Sequence, residues 1–259
     1  MSAVVDVLQN ILMGFRPLAR LAQRYHSTGL NADPDMAGRV YEMYSRFVSM
    51  SGKDIVEIGP GQTLEVLERA SASGARSCTA IDVCTYLSHE QARGKHITYM
   101  VYGGREMPLA AESVDLICSY TALEHVRYPL ITVQECFRIL RPGGKLVSVI
   151  DLGDHSYYGK NQSYPDKVFH CLQYPEWLWN LMKWNRSSYV NRLRQSDWMR
   201  LFAEVGFVMR ARETVVNDHT VRLLSDLWYL HKYQYDDAVT SALTVCMEKP
   251  ALTGVPTGS

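Results

Sequence analysis

The chain has 259 residues, enough for one large domain, or a domain with an appendage, around a substantial buried core. Its 27 basic and 27 acidic residues cancel, which removes the basic surplus that a nucleic-acid surface needs. No apolar run reaches transmembrane length, and Asp6 precedes any basic residue with no cleavage pattern behind it, so no signal peptide is read. Cys78, Cys84, Cys118, Cys136, Cys171 and Cys246 form no Cys-x-x-Cys pair and several lie in apolar runs. They read as reduced, mostly buried thiols of a cytoplasmic protein, not as a structural zinc site.

Residues 3–24 carry Val4, Val5, Leu8, Ile11, Leu12 and Phe15 at helical spacing, followed by Arg16, Arg20 and Arg24. Such a helix packs on the main domain or a partner subunit, or it lies on a membrane surface with its arginines at the headgroups. Pro17 kinks or divides it. A turn cluster at 31–35 precedes a helical stripe over 36–50 (Met36, Val40, Met43, Tyr44, Phe47), which leads into Asp54-Ile55-Val56-Glu57-Ile58-Gly59-Pro60-Gly61. That stretch reads as a buried strand running into a tight glycine turn, with a helix over about 64–71 beyond it. A strand, Gly-x-Gly turn and helix place backbone N–H groups at the carboxyl edge of a sheet, where open α/β sheets bind ligands. A dinucleotide site wants a third glycine three residues after Gly61, and this chain has Leu64. Glu57 points an acceptor into the turn, which suits an ammonium better than a phosphate. The inferred ligand is S-adenosylmethionine.

Strand two is expected at 77–82, ending in Asp82, placed to accept ribose hydroxyls about 20 residues beyond the turn; a helix cap or a loop position is its plainer role. Strand three is expected at 96–102, followed by Gly103-Gly104. Strand four spans 113–119, and a helix opens at Ala122-Leu123-Glu124-His125-Val126. Arg141-Pro142-Gly143-Gly144 reads as a turn, and strand five spans 145–152. Alternating strands and helices over 54–152 imply a parallel sheet with right-handed crossovers. The aromatic-rich stretch 153–190 (Tyr157, Tyr158, Tyr164, Phe169, Tyr174, Trp177, Trp179, Trp184, Tyr189) breaks the pattern and reads as a cap over the substrate, or as a lid core. A helix starting at Ser196, strands at 207–216 and 241–249, a helical stretch over 220–233 and a frayed tail from 251 complete the chain. The expected domains are a helical segment over 1–50, a main domain over 51–250 with its cap at about 153–190, and a tail over 251–259.

Together Val56-Glu57-Ile58-Gly59-Pro60-Gly61, Asp82, Met107-Pro108-Leu109 with Ser113-Val114-Asp115-Leu116-Ile117, Leu123-Glu124-His125-Val126 and Leu140-Arg141-Pro142-Gly143-Gly144 resemble the class I S-adenosylmethionine-dependent methyltransferases of the type 11 subgroup. The resemblance covers about 50–152. It implies an α/β, Rossmann-like, seven-stranded, mostly parallel sheet with an antiparallel last strand and helices on both faces. It also implies that Glu57 and Gly59 face the methionine amino group and that Pro60, Gly61 and Thr63 line the turn. Asp82 then holds the ribose, Val83 lies beside the adenine, Gly104 and Arg105 meet the adenine edge, and Ser119 and Tyr120 line the methionyl end. Many relatives carry an Asp four residues before the Leu-Pro-Phe-like triplet; here it is Gly103, which leaves the adenine to backbone or a nearby polar group. The C-terminal part, with Asp151-Leu152-Gly153-Asp154-His155 and Asn191-Arg192-Leu193-Arg194, looks like methyltransferases of bacterial glycan modification.

Methyl transfer to a hydroxyl needs alignment and a base. His155 is the expected base, with Asp154 or Asp151 orienting it and His125 the second candidate, more simply a helix cap. No metal ligand set is assigned, although Asp151, Asp154 and His155 offer an alternative role in holding a divalent ion. Arg192 and Arg194 either clamp an anionic substrate or are solvated. The expected acceptor is a small molecule or glycan, methylated on oxygen. N- or C-methylation of a natural product or lipid, or a catalytically silent binding module, are the alternatives. No nucleic acid is expected, and membrane contact through 3–24 and a homo-oligomer are further options.

Overall fold

The computed structural model describes residues 3–15, 17–18, 35–155 and 167–251. Arg16, Arg20, Arg24, most of the 31–35 turn, Tyr157, Tyr158, Tyr164 and the tail beyond 251 lie outside the described residues. Seven strands form one sheet in the order β3-β2-β1-β4-β5-β7-β6. They are β1 (Asp54–Ile58), β2 (Ser77–Asp82), β3 (Thr98–Val101), β4 (Val114–Tyr120), β5 (Leu140–Asp151), β6 (Val208–Val216) and β7 (Thr240–Glu248). β1 to β5 pair in parallel, while β7 runs antiparallel to both β5 and β6.

The central strands are apolar at successive positions because both faces are covered. Along β1, Val56 and Ile58 face one core with Ile117, Leu146 and Ile150, closed by α5 (Pro129–Ile139) and α7 (Gln195–Val205). Ile55 faces the other core with Leu116, Cys118 and Val147, closed by α2 (Met36–Phe47), α3 (Glu65–Ala72) and α4 (His89–Arg93). This alternation is the pleat of the strand read out in packing.

Several boundaries differ from the sequence expectation. β3 starts at Thr98, because His96 takes a left-handed φ of 57°. Residues 123–125 form a 3₁₀ turn, and the helix after β4 begins at Pro129, where proline suits a first helical position. The Arg141-Pro142-Gly143-Gly144 turn lies within β5 as a bulge: Leu140 pairs with Val114 and Lys145 with Leu116. α7 starts at Gln195, where the Asp197 carboxylate accepts from the Arg194 N–H at 3.1 Å. The stretch 220–233 is divided between α8 (Asp218–Leu223) and a 3₁₀ turn at Trp228–Leu230, and α9 (Tyr235–Val239) follows it.

Within 153–190 the described part contains a 3₁₀ turn at His170–Gln173 and α6 (Glu176–Lys183). Phe169, Cys171, Leu172, Trp179, Tyr189 and Val190 build a third cluster with Tyr229 and Leu230. α1 (Ala3–Met13) docks on α6 by its polar side. Buried Asp6 accepts from Lys183 at 3.0 Å and from Arg186, and Asn10 donates to the Leu181 carbonyl at 2.9 Å. Val4, Leu8, Ile11, Leu12 and Phe15 point outward instead of into a core. Among the described residues no helix is long and apolar enough to cross a membrane.

Candidate active site

The sheet order reverses between β1 and β4, since β1 continues to β2 on one side and β4 to β5 on the other. At such a point the connections diverge and leave a crevice beyond the strands' carboxyl ends. Gly59 follows β1 with a φ of 70°, and a Cβ there would lie 2.5 Å from the Ala122 Cβ beyond β4. Both the backbone angle and this close approach require glycine. Gly61 repeats the left-handed turn at 67°.

Glu57 is 1% exposed, and its Oε2 has no hydrogen-bond partner. Burial pushes its pKa up to about 8. Ser119, opposite Ile58 on β4, is also fully buried with its hydroxyl unpartnered. Asp82 ends β2, where its carboxylate accepts from Val83 N–H at 2.7 Å, Cys84 N–H at 3.1 Å and Gly61 N–H at 3.3 Å. Burial still outweighs these three donors and raises Asp82 to about 6. A carboxylate has about four lone-pair positions. A diol reaching Oδ2 therefore shares it with, or displaces, the long Gly61 contact. Thr63 accepts from Glu65 N–H at 3.3 Å and so belongs to the start of α3.

Val83 is exposed at the sheet edge, and a Cβ on Gly104 would lie 3.6 Å from its Cγ1. An apolar face and a bare backbone thus adjoin where a flat ring can lie. Arg105 stacks its guanidinium 4.1 Å from the Tyr128 ring centroid. The Met107–Leu109 segment is pinned from α5: Glu135 accepts from Met107 N–H, and Arg138 donates to the carbonyls of Met107 and Leu109. Tyr120 brings its hydroxyl 3.8 Å from the Met36 sulfur of α2.

Beyond β4 and β5 the imidazoles of His125 and His155 meet edge to face, with centroids 4.6 Å apart. His125 Nδ1 bonds the Tyr189 carbonyl at 2.6 Å, and Asp151 Oδ2 lies 3.9 Å from His155 Nε2. Asp154 is buried and turns toward His170, whose Nδ1 is 3.8 Å from Oδ2. The fold thus brings His155 to His125 and Asp151, and pairs Asp154 with His170. Glu124 adjoins the two imidazoles, 2% exposed, with no side chain bonded to either carboxylate oxygen. Burial raises its pKa well above the usual range, and the Asp151 charge adds to the rise. The Leu-Glu-His motif contained this residue, but only pairing of β4 with β5 brings it to His155. The nearby Thr121 has a φ of 46°, unusual for a β-branched residue.

Arginines fasten the cap region to this edge. Arg127 donates to the carbonyls of His125, Trp184 and Arg186. Arg192 donates to those of Cys171 and Tyr174. Arg194 is 1% exposed and donates to the carbonyls of Leu152, Asp237 and Thr240. Its charge is enclosed by backbone and does not face a ligand.

Residues 56–148 match the methyltransferase domain family. A relative from Mycolicibacterium smegmatis, named "Probable S-adenosylmethionine-dependent methyltransferase", is 28% identical over 124 residues. The match covers 48% of this chain and 47% of that protein, about half of each. Residues 56–148 are a methyltransferase domain, and the relatives that this chain resembles use S-adenosylmethionine. A Coxiella burnetii protein named "Ubiquinone biosynthesis O-methyltransferase" is 24% identical over 186 residues, covering 70% of this chain and 74% of that protein. A Mesorhizobium loti S-adenosylmethionine-dependent methyltransferase structure superposes with a TM-score of 0.56 at 16% identity, over 85% of this chain and all of that one, and shows the fold. The family's cofactor is S-adenosylmethionine. The orphaned Glu57 carboxyl, the glycine cradle and the Asp82 carboxylate suit its ammonium, its close backbone approach and its ribose.

Proposed function

We propose that this methyltransferase moves the methyl group of S-adenosylmethionine to a hydroxyl of a small acceptor, a sugar or glycan being the favoured class. The observation that carries the cofactor reading is the Glu57 carboxyl, buried without a partner at the end of β1 beside the glycine turn. An unpaired buried acid is costly, and an ammonium compensates it. Asp82 holds the ribose, Val83 and Gly104 flank the adenine, and Ser119 and Tyr120 line the methionyl end. The bound cofactor supplies a sulfonium methyl already activated for in-line displacement.

The chain's own part is to align the acceptor and take its proton. A ring nitrogen of His155 accepts the hydroxyl proton, Asp151 orients that ring, and His125 stands behind it, held by the Tyr189 carbonyl. The resemblance to a Coxiella protein named an O-methyltransferase supports transfer to oxygen. A second reading, an amphiphilic acceptor met at a membrane surface, is favoured by the outward apolar stripe of α1.

Calorimetric titration with S-adenosylmethionine and S-adenosylhomocysteine tests the first step. Saturable binding is expected to weaken at least about tenfold in Asp82→Ala, the effect of losing charged hydrogen bonds. A folded wild-type protein that binds neither compound defeats the proposal. Transfer of labelled methyl to sugars, compared with transfer to vesicle-borne hydroxyl compounds, separates the two acceptor readings.

A further inference from the structure

We infer that Glu124, His125 and His155 form a binding site for a divalent transition-metal ion of the zinc type, at the carboxyl ends of β4 and β5. One ligand atom from each residue lies within 4.8 Å of the other two. Metal bonds of about 2.0–2.2 Å place tetrahedral ligand atoms about 3.3 Å apart, so closing the set needs about 1.5 Å of side-chain adjustment. Two imidazoles and one carboxylate are a donor set that catalytic zinc sites use, with the fourth position left open. Imidazole donors favour zinc, cobalt or nickel over magnesium or calcium.

Two further observations point to an ion. The Glu124 carboxyl is almost fully enclosed and no side chain bonds either of its oxygens, the backbone N–H groups of Glu124 and Asp151 being the donors that approach it, although buried carboxylates ordinarily have full partners. A cation in the cluster supplies the missing partner. His125 donates Nδ1–H to the Tyr189 carbonyl at 2.6 Å, the kind of hydrogen bond that fixes the ring of a metal-ligating histidine. Asp151, 3.9 Å from His155 Nε2, is placed to steady that ring or to enter the coordination sphere. The sequence alone suggested Asp151, Asp154 and His155 as the possible set; the fold turns Asp154 toward His170 and substitutes Glu124 and His125.

An ion that takes the ring-nitrogen lone pair of His155 prevents that nitrogen from accepting a proton. Metal-loaded and base-competent protein are then mutually exclusive states. This consequence rests on the proposed role of His155; the binding itself does not.

The test is titration of the metal-stripped full chain with Co²⁺, followed by visible d–d absorption, with Zn²⁺ calorimetry in parallel. One saturable equivalent is expected, displaced by Zn²⁺. Glu124→Gln and His155→Gln should each weaken binding at least about tenfold, and His170→Gln should leave it unchanged. No saturable Co²⁺ spectrum from folded wild type, a spectrum dominated by thiolate charge transfer, or binding undiminished in both ligand variants overturns the site. S-adenosylmethionine titration of the same samples keeps the two readings apart. Loss of the cobalt signal with cofactor binding intact removes only the metal site, and the converse removes only the proposed function.

Discussion

At the residue scale, Glu57 sets folding against binding. Its carboxyl is raised to about 8 from an ordinary 4.5, so the folded state holds its proton more tightly than the unfolded chain does. The sign follows from linkage: its contribution is most favourable below the unfolded value and is lost as pH rises through the folded one. Glu57→Gln should therefore melt at a higher temperature than wild type. The difference should be small near about pH 5 and largest above about pH 8. The same variant should bind S-adenosylmethionine at least about tenfold more weakly, because a charged partner is gone. Scanning fluorimetry across pH with parallel calorimetry reads both; a melting difference that ignores pH would refute the buried-acid account. Glu57 was legible in the sequence because strand, turn and acceptor are adjacent there. Glu124 was not, since its meaning depends on two strands that only the folded sheet brings together.

The element scale shows why some segments were readable and others were not. β1, β2 and β4 are short, mostly apolar or β-prone stretches with few polar interruptions, so their limits were readable from composition. α4 has five residues, too few to display a helical period, and went unread. The bulge in β5 resembles a free turn because Pro142, Gly143 and Gly144 signal the same backbone geometry in either setting. Arg194 is the sharpest contrast. As a letter it suggests anion binding, yet in the fold it joins the end of β5 to α9 and β7 through three carbonyls. Arg194→Met keeps the volume and leaves those acceptors bare. It should cost about 1–3 kcal/mol in urea unfolding, the range for leaving buried neutral acceptors without their donor. A loss below about 1 kcal/mol would show that water or neighbouring groups replace the guanidinium.

At the scale of the whole molecule, α1 is attached by its polar side. Burial works against ionised Asp6, but Lys183 and Arg186 outweigh it and hold its pKa below the usual value. Its contribution is therefore present above the unfolded value of 3.8 and is lost as pH falls through the lowered one. Asp6→Asn should weaken the docking of α1 by about 1.5–3 kcal/mol, the worth of hydrogen bonds to a charged group. Hydrogen exchange should show lost protection over 3–13 with the sheet unchanged; protection lost across the sheet as well would mean that α1 is integral to the core.

β7 lies between β5 and β6 and bonds to both, yet it follows them in the chain. During synthesis, both of those strands must wait with open backbone edges until β7 leaves the ribosome. A message truncated ahead of Thr240 would strand its product at that stage, with two unpaired rims available to other nascent chains. The last strand thus closes both rims at once, and through Asp151, opposite Ala242, its ladder reaches the edge that holds His155.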